Sequence, residues 1–299
     1  VTSQIPPELS IARERFMELV AELRPELHRY CSRLVGSAID GEDVVQESLA
    51  KAYYAMSMSP ECPPLRPWLF RIAHNTAIDF LRRYERRFVE PVEDIPEEAG
   101  ATEPIEPPAV RLALSSFVAL PILQRSAVIL KDVLDSSLEE IAETLGTTVP
   151  AVKAALVRGR RALGAQPLPD VVPWRDRPET PARERAQLER YVALFNAKDW
   201  SGLQNLLVEE CELDLVAKSA RKGKKQVSGY FGNYAADDTR LVLGEAEGRT
   251  VIGVHRPASS AGPAYVITID WHGDRVGFIR DYRYVPYLMN ELVFKGAST

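Results

Sequence analysis

The sequence predicts a multidomain chain in which two all-α domains are followed by an α+β domain. Three observations carry this. Residues 137–163, SLEEIAETLGTTVPAVKAALVRGRRAL, form a helix-turn-helix pattern. Two proline-rich stretches, 88–110 and 165–180, divide the chain. Beyond residue 208 the apolar period changes from that of helices to that of strands. The divisions are 1–87, 88–110, 111–165, 166–180 and 181–299.

Charge sharpens this division. The chain of 299 residues has a net charge of −5, and residues 88–110 contain seven acids, five prolines and no basic residue. Such a segment cannot bury enough surface to fold alone and reads as an extended linker. The rest is close to neutral, so local basic faces decide nucleic-acid binding. No apolar run is long enough for a membrane span and no signal peptide opens the sequence, so a cytoplasmic protein with no membrane partner is expected. Cys31, Cys62 and Cys211 are too scattered for a metal site or a disulfide framework. No cofactor, metal or catalytic group is expected.

In order along the chain, residues 11–35 read as a helix with Phe16, Leu19, Val20, Leu23, Leu27 and Leu34 on one face, and Pro25 marks a kink or break. Gly36 and IDGED make a turn. Residues 42–57 form a second helix, with Val45, Leu49, Ala52 and Met56 inward and Asp43, Gln46 and Glu47 on the other side. MSPECPP is a loop. From Leu65 a third helix runs to about Arg87, burying Leu69, Ile72, Ala73 and Phe80 and presenting Arg71, Asn75, Asp79, Arg82 and Arg86. In the helix-turn-helix, Leu138, Ile141, Ala142 and Leu145 recur until Gly146 stops the helix, and Thr148 caps the next. From Leu145 to Gly164 there are four basic residues and no acid. The second helix suits a DNA major groove, with an ordinary helical hairpin bearing a solvated basic face as the alternative.

EDVVQESLAKAY, LRPWLFRIAHNTAIDFLRR and the helix-turn-helix, in this order, resemble the extracytoplasmic-function group of bacterial RNA polymerase sigma factors over residues 12–164. The resemblance implies a sigma-2 helical bundle over 1–87 and a sigma-4 helix-turn-helix over 111–165. It implies core RNA polymerase as partner, through the clamp helices of its largest subunit and its flap, and promoter DNA as ligand. Docking on the clamp falls on Asp43, Gln46 and Glu47. Reading and melting the −10 element fall on Arg66, Trp68, Arg71, Asn75, Asp79, Arg82 and Arg83. Reading the −35 element falls on Thr148, Lys153, Arg158, Arg160 and Arg161. The chemistry agrees, since promoter opening needs cations for phosphates, flat groups for unstacked bases, and amides or carboxylates for base edges. Relatives carry an aromatic and a glycine where this chain has MSPECPP, and a hydroxyl and an arginine where it has Ala154 and Ala155. By resemblance the acidic linker threads the polymerase active-site cleft and the RNA exit path.

Residues 181–208 read as a helix pair. CELDLVA alternates as a strand, GKKQVSGYFGNYA reads as a short helix, and 240–256 and 264–284 supply strands, the latter turning at His272-Gly273-Asp274. The basic run 218–225 reads as a loop that suits the acidic linker. This order resembles the SnoaL-like branch of the NTF2 fold. In the sigma factors that carry such a domain, it contacts the sigma domains and takes over regulation, so no dedicated anti-sigma factor is expected. Asp214, Asp270 and Asp281, with His255, His272 and Tyr282, are the candidates for the alternative, a polyketide cyclase- or isomerase-like enzyme or a small-molecule sensor fused to a DNA-binding module. A one-protein transcriptional regulator is the third reading.

Overall fold

The computed structural model describes residues 16, 18, 20–58, 64–88, 114–164 and 179–296. It divides into two compact units, Val1–Asp176 and Arg177–Thr299. Loop 59–63 with Cys62, the acidic segment from 89 to 113 and the connector 165–178 lie outside the described residues. Cys31 and Cys211 are buried free thiols.

In the first unit, α1 spans Arg24–Val35 with Pro25 in its first turn, where the missing N–H costs nothing. Gly36 closes it at φ 79°, a left-handed conformation that glycine adopts without strain. Ser37 then caps α2, Ala38–Ser57, by accepting the Asp40 N–H at 3.1 Å. The IDGED run is therefore helix rather than turn. Gly41 suits the close crossing of α1 and α2, because a Cβ there would lie 2.6 Å from the Ser32 Cα. Next come α3 (Leu65–Phe88), α4 (Leu114–Val118) and α5 (Ile122–Val128), the last widening into a π turn at Ile129–Val133. The hairpin α6 (Leu138–Leu145) and α7 (Val149–Gly164) follows. The two helical regions that read as separate domains share one core in this unit. Leu27, Leu34, Val45, Leu69 and Phe70 join Phe117, Val128, Ile141, Val152 and Leu156 in a single apolar cluster.

The second unit is the expected α+β domain. It opens with α8 (Ala182–Asn196) and α9 (Trp200–Leu206), which Asp199 caps by accepting the Gly202 N–H at 2.8 Å. The strands are β1 (Leu207–Leu215), β2 (Ser219–Lys222), β3 (Arg240–Ala246), β4 (Arg249–His255), β5 (Tyr265–His272), β6 (Arg275–Asp281) and β7 (Lys295–Gly296). Between β2 and β3 lies α10, Lys224–Phe231. The sheet order is β2-β1-β6-β5-β4-β3-β7. The meander β3 to β6 returns beside β1, so β1 and β6 pair in parallel, while the other described pairs are antiparallel. The basic run 218–225 is an edge strand and the first turn of α10 rather than a loop. Its Lys222 and Lys224 pair with Glu212 at 2.5 Å and Glu209 at 3.5 Å.

Where α1, α3 and α5 meet, the Tyr30 hydroxyl lies 2.8 Å from His74 Nδ1, and the Ser126 hydroxyl 3.4 Å from the same nitrogen. Burial pushes the His74 imidazole down to about 4. A folded-state value below the free value of 6.5 means that the unfolded chain takes up the proton first. The stability from neutral His74 is thus whole above about pH 6.5 and is lost as pH falls towards 4. Urea melts at stepped pH should show the first unit of wild type losing on the order of 3 kcal/mol more than His74→Gln across that window. Parallel pH profiles for the two proteins would contradict this.

Candidate nucleic-acid interface

The buried side of α3 fixes what its other side offers. Leu69, Phe70, Ala73 and Ala77 are buried, and Trp68 is half-buried against the same core. Arg71, Asn75, Asp79, Arg82 and Arg83 are exposed. Arg83 donates to Glu47 Oε2 at 3.0 Å, and Glu47 also pairs with Lys51 at 2.8 Å. Although partial burial opposes it, these two cations hold the Glu47 carboxyl below the usual range. Gln46 and Glu47 are half-buried on α2, as is Asp43. The expected polymerase-facing and −10-facing groups therefore meet along one α2–α3 edge.

The other end of α3 is engaged differently. Arg66 donates to Glu26 Oε2 at 3.2 and 3.3 Å and to the Ser136 hydroxyl at 3.3 Å, lies 3.7 Å from Glu140, and stacks on Phe70. Arg71 donates twice to the Glu143 carbonyl, at 3.2 and 2.7 Å, and lies 3.6 Å from that residue's carboxylate. The helix-turn-helix thus sits directly on the N-terminal end of α3.

The hairpin itself is built as its sequence demands. Ser137 and Glu140 form a reciprocal capping box at the start of α6, and Gly146 ends the helix at φ 62°. The backbone N–H at Ser137 holds the Glu140 carboxyl below its usual range. Thr148 is exposed, and its hydroxyl accepts the Ala151 N–H at 3.4 Å as the cap of α7. Gly159 lets α5 and α7 cross closely, since a Cβ there would lie 2.7 Å from Val128 Cγ2. Lys153 and Arg161 are exposed and Arg158 is half-buried. Arg160 is committed elsewhere. It grips Asp132 with both ends of its fork, at 2.9 and 2.5 Å, and Asp132 is only 2% exposed. That bond raises the Arg160 pKa.

The three acids of the enzyme reading are not brought together. Asp214 lies 3.4 Å from Arg280, and Asp270 is exposed on β5. Asp281 is buried at the end of β6, where Tyr230 and Tyr234 donate to Oδ2 at 2.6 and 3.2 Å and the Arg283 N–H donates to Oδ1 at 2.8 Å. His272 is an exposed residue at the end of β5, beside the β5–β6 turn, and His255 Nδ1 lies 2.8 Å from the Ser260 carbonyl. Among the described residues no group of His, Cys, Asp or Glu is placed to hold a metal, and no helix is long and apolar enough to cross a membrane.

Sequence reasoning missed Arg125, a single cation in the apolar run of α5. It is 7% exposed and donates to the carbonyls of Leu34, Val118 and Leu120 at 2.6, 2.6 and 2.9 Å. It also missed Glu140 and Glu143 as partners of α3, which no helical periodicity announces.

Family models for sigma-70 region 2 and sigma-70 region 4 match residues 19–87 and 114–163. The chain is similar to the ECF RNA polymerase sigma factor SigG of Mycobacterium tuberculosis, 27% identical over 289 residues that cover 86% of this chain and 78% of SigG. It is similar to the ECF RNA polymerase sigma-E factor of Salmonella typhimurium, 31% identical over 173 residues covering 52% of this chain and 89% of that factor. Among solved structures it is similar to the sigma factor RpoE in complex with the anti-sigma factor NepR from Bartonella quintana, at TM-score 0.39 and 24% identity, covering 50% of this chain and 94% of RpoE. It is also similar to CnrH in complex with the cytosolic domain of CnrY, at TM-score 0.37 and 24% identity, covering 52% of this chain and 92% of CnrH. The expectation that no dedicated anti-sigma factor is required is corrected, since RpoE is held by the anti-sigma factor NepR and CnrH by the cytosolic domain of CnrY. A partner's dispensability is written in no residue, so sequence had no ground for it.

Within α7 the cations differ in what they hold, Arg160 gripping a buried acid and Lys153 lying exposed. Arg160→Ala leaves the buried Asp132 carboxylate without its fork and should cost the first unit about 3 kcal/mol or more in a urea melt. Lys153→Ala, at an exposed position, should leave the melt within about 0.5 kcal/mol of wild type. A melt of Arg160→Ala that matches wild type would show the pair to be dispensable.

Proposed function

Because the chain belongs to the extracytoplasmic-function group of RNA polymerase sigma factors, whose members bind core polymerase and promoter DNA and are not catalysts, we propose a division of that work among its residues. Asp43, Gln46 and Glu47 dock on core polymerase. Arg66, Trp68, Arg71, Asn75, Asp79, Arg82 and Arg83 serve the −10 element, and Thr148, Lys153, Arg158 and Arg161 serve the −35 element. Arg160 ties α7 to the π turn that follows α5. The domains follow: sigma-2 work within 1–87, sigma-4 work within 111–165, and regulation within 181–299.

The observation that supports this reading best is the two-sidedness of α3. One side packs into the core, and the other presents three exposed arginines, an amide and a carboxylate along about four turns. Cations take phosphates while the amide and carboxylate take base edges, which is the mixture a melted duplex requires. Asp43→Arg with Glu47→Arg should weaken capture of core polymerase at least about tenfold, a change of ~1.4 kcal/mol, with the far-ultraviolet helical signal kept. Undiminished capture would take these residues out of the interface.

The second unit regulates the first. The support is its independent fold, with its own apolar cluster and sheet, joined in one chain to the first unit, which raises its effective concentration. A chain ending at Asp176 should therefore transcribe differently from the full chain at matched concentration, with higher output as the expected sign. Equal output across salt concentrations would leave the second unit without a regulatory part.

A further inference from the structure

The antiparallel meander of the second unit brings the end of β4, the start of β5 and the end of β6 together at one end of the sheet. Val254 lies opposite Tyr265, and Ile267 lies opposite Asp281. Arg256 follows β4 and Arg283 follows β6, so two guanidiniums arrive there from separate strands. Asp281 fixes the second of them by accepting the Arg283 backbone N–H at 2.8 Å, and the Arg283 guanidinium lies over the Tyr234 ring at 5.6 Å. A guanidinium stacked on a ring keeps the edges of its fork open to oxygens. One acid serves both cations. Asp237, in the loop before β3, places Oδ2 3.2 Å from Arg256 and 3.9 Å from Arg283. Among the described residues neither guanidinium donates a hydrogen bond from its fork. Their fields also converge on one place. Burial and the Asp281 charge push the Tyr265 hydroxyl up to about 12, and Arg283 and Arg256 both act against that rise.

We propose that Arg256 and Arg283 form a binding site for a small molecule that carries a carboxylate, with Asp237 as its built-in stand-in. A guanidinium offers more donors than one long ion pair uses, and its planar fork matches two carboxylate oxygens. A free ligand can centre its carboxylate between the two forks, which Asp237, held by its own backbone, does not do. The Arg283 and Asp237 side chains are each 23% accessible, so charges there are screened less than on open surface. Asp281 does not compete for the arginine forks, because Tyr230, Tyr234 and the Arg283 N–H engage its oxygens. The site binds without any reaction being implied. It also stands apart from the regulatory reading of the second unit, since binding is measured whether or not transcription responds.

The test titrates the isotope-labelled full chain with sodium acetate, which carries the carboxylate of an aspartate side chain, and separately with inorganic phosphate. Sodium chloride holds the ionic strength constant, and the arginine Nε–H resonances report occupancy. Acetate should saturate the wild type and bind about tenfold more tightly to Asp237→Asn, whose stand-in has lost its charge. Asp238→Asn, the same charge change on the exposed neighbour, should stay within about twofold of wild type. Arg256→Gln and Arg283→Gln should each weaken acetate at least about tenfold. The exposed position of Arg256 keeps the test decisive if the Arg283 variant unfolds. No saturation by acetate in either wild type or Asp237→Asn overturns the proposal. So does a gain in Asp238→Asn equal to that in Asp237→Asn, or full affinity in Arg256→Gln. Phosphate binding more tightly than acetate overturns the carboxylate as the group the site takes.

Discussion

A guanidinium buried between helices must find oxygens, and Arg125 finds three carbonyls where two helices end. Leu34 is in the last turn of α1, and Val118 and Leu120 lie at and just beyond the end of α4. Helix C-termini leave carbonyls unpaired and carry the negative end of the helix dipole, so a cation there satisfies several groups at once. Arg125 itself belongs to α5, within the span that matches sigma-70 region 4, and Leu34 belongs to the span that matches region 2. One side chain therefore ties the two regions together. The Tyr30–His74–Ser126 cluster makes a second buried polar link between them. Buried polar groups tolerate little displacement, because a donor left unpaired costs its full desolvation. The two links fix the register of the shared core far more narrowly than apolar packing alone.

Much of the fold was legible because it is local. The stop at Gly146, the cap at Thr148, the break at Pro25 and the turn before Asp274 are consequences of residues a few places apart. Where local signals ran against each other, the reading slipped. IDGED looked like a turn, and the Ser37 cap made it helix. The basic run 218–225 looked like a loop, and Glu209 and Glu212 across the hairpin made it an edge strand and the start of a helix. The candidate interface was legible as two basic faces and illegible as one assembly. Arg71 reaches Glu143 across 72 positions, and Arg125 reaches Leu34 across 91. No periodicity encodes such a pairing. Arg160 shows the same limit at shorter range, because its basic neighbours suggested DNA and a buried acid 28 positions earlier claimed it.

The second unit places its strangest chemistry at the end of β6. Asp281 is fully buried, and burial raises its pKa even though three hydrogen bonds favour the carboxylate. A catalytic carboxylate needs a free oxygen to meet a substrate. Here Tyr230 and Tyr234 occupy Oδ2, the Arg283 N–H occupies Oδ1, and Tyr265 extends the network through Tyr234 at 3.0 Å. The tyrosines come from α10, the 3₁₀ turn after it and β5, so the network fastens the helix to the meander. Fold alone implies no reaction, and this geometry supports a structural role for the acid.

The closed first unit combines two kinds of interaction with different strengths. Half-exposed pairs such as Arg71 with Glu143 contribute little and fade as salt screens them. The shared apolar cluster, including Leu34, Phe117, Val128 and Leu130 at 0–2% exposure, is neither directional nor screened. The core therefore decides whether the regions stay together, and the charges decide which faces meet. Separating them exposes those side chains unless another surface covers them, and salt alone supplies no such surface. A polyanion could exchange with such half-exposed acids but offers little apolar surface to replace the core. A large protein partner can offer it, and the half-buried polar residues Asp43, Gln46 and Glu47 lie on α2, away from the contact between α3 and α6. The constraint is therefore apolar before it is electrostatic: whatever opens the first unit must cover the surface that opening creates, and only then can the paired charges exchange partners.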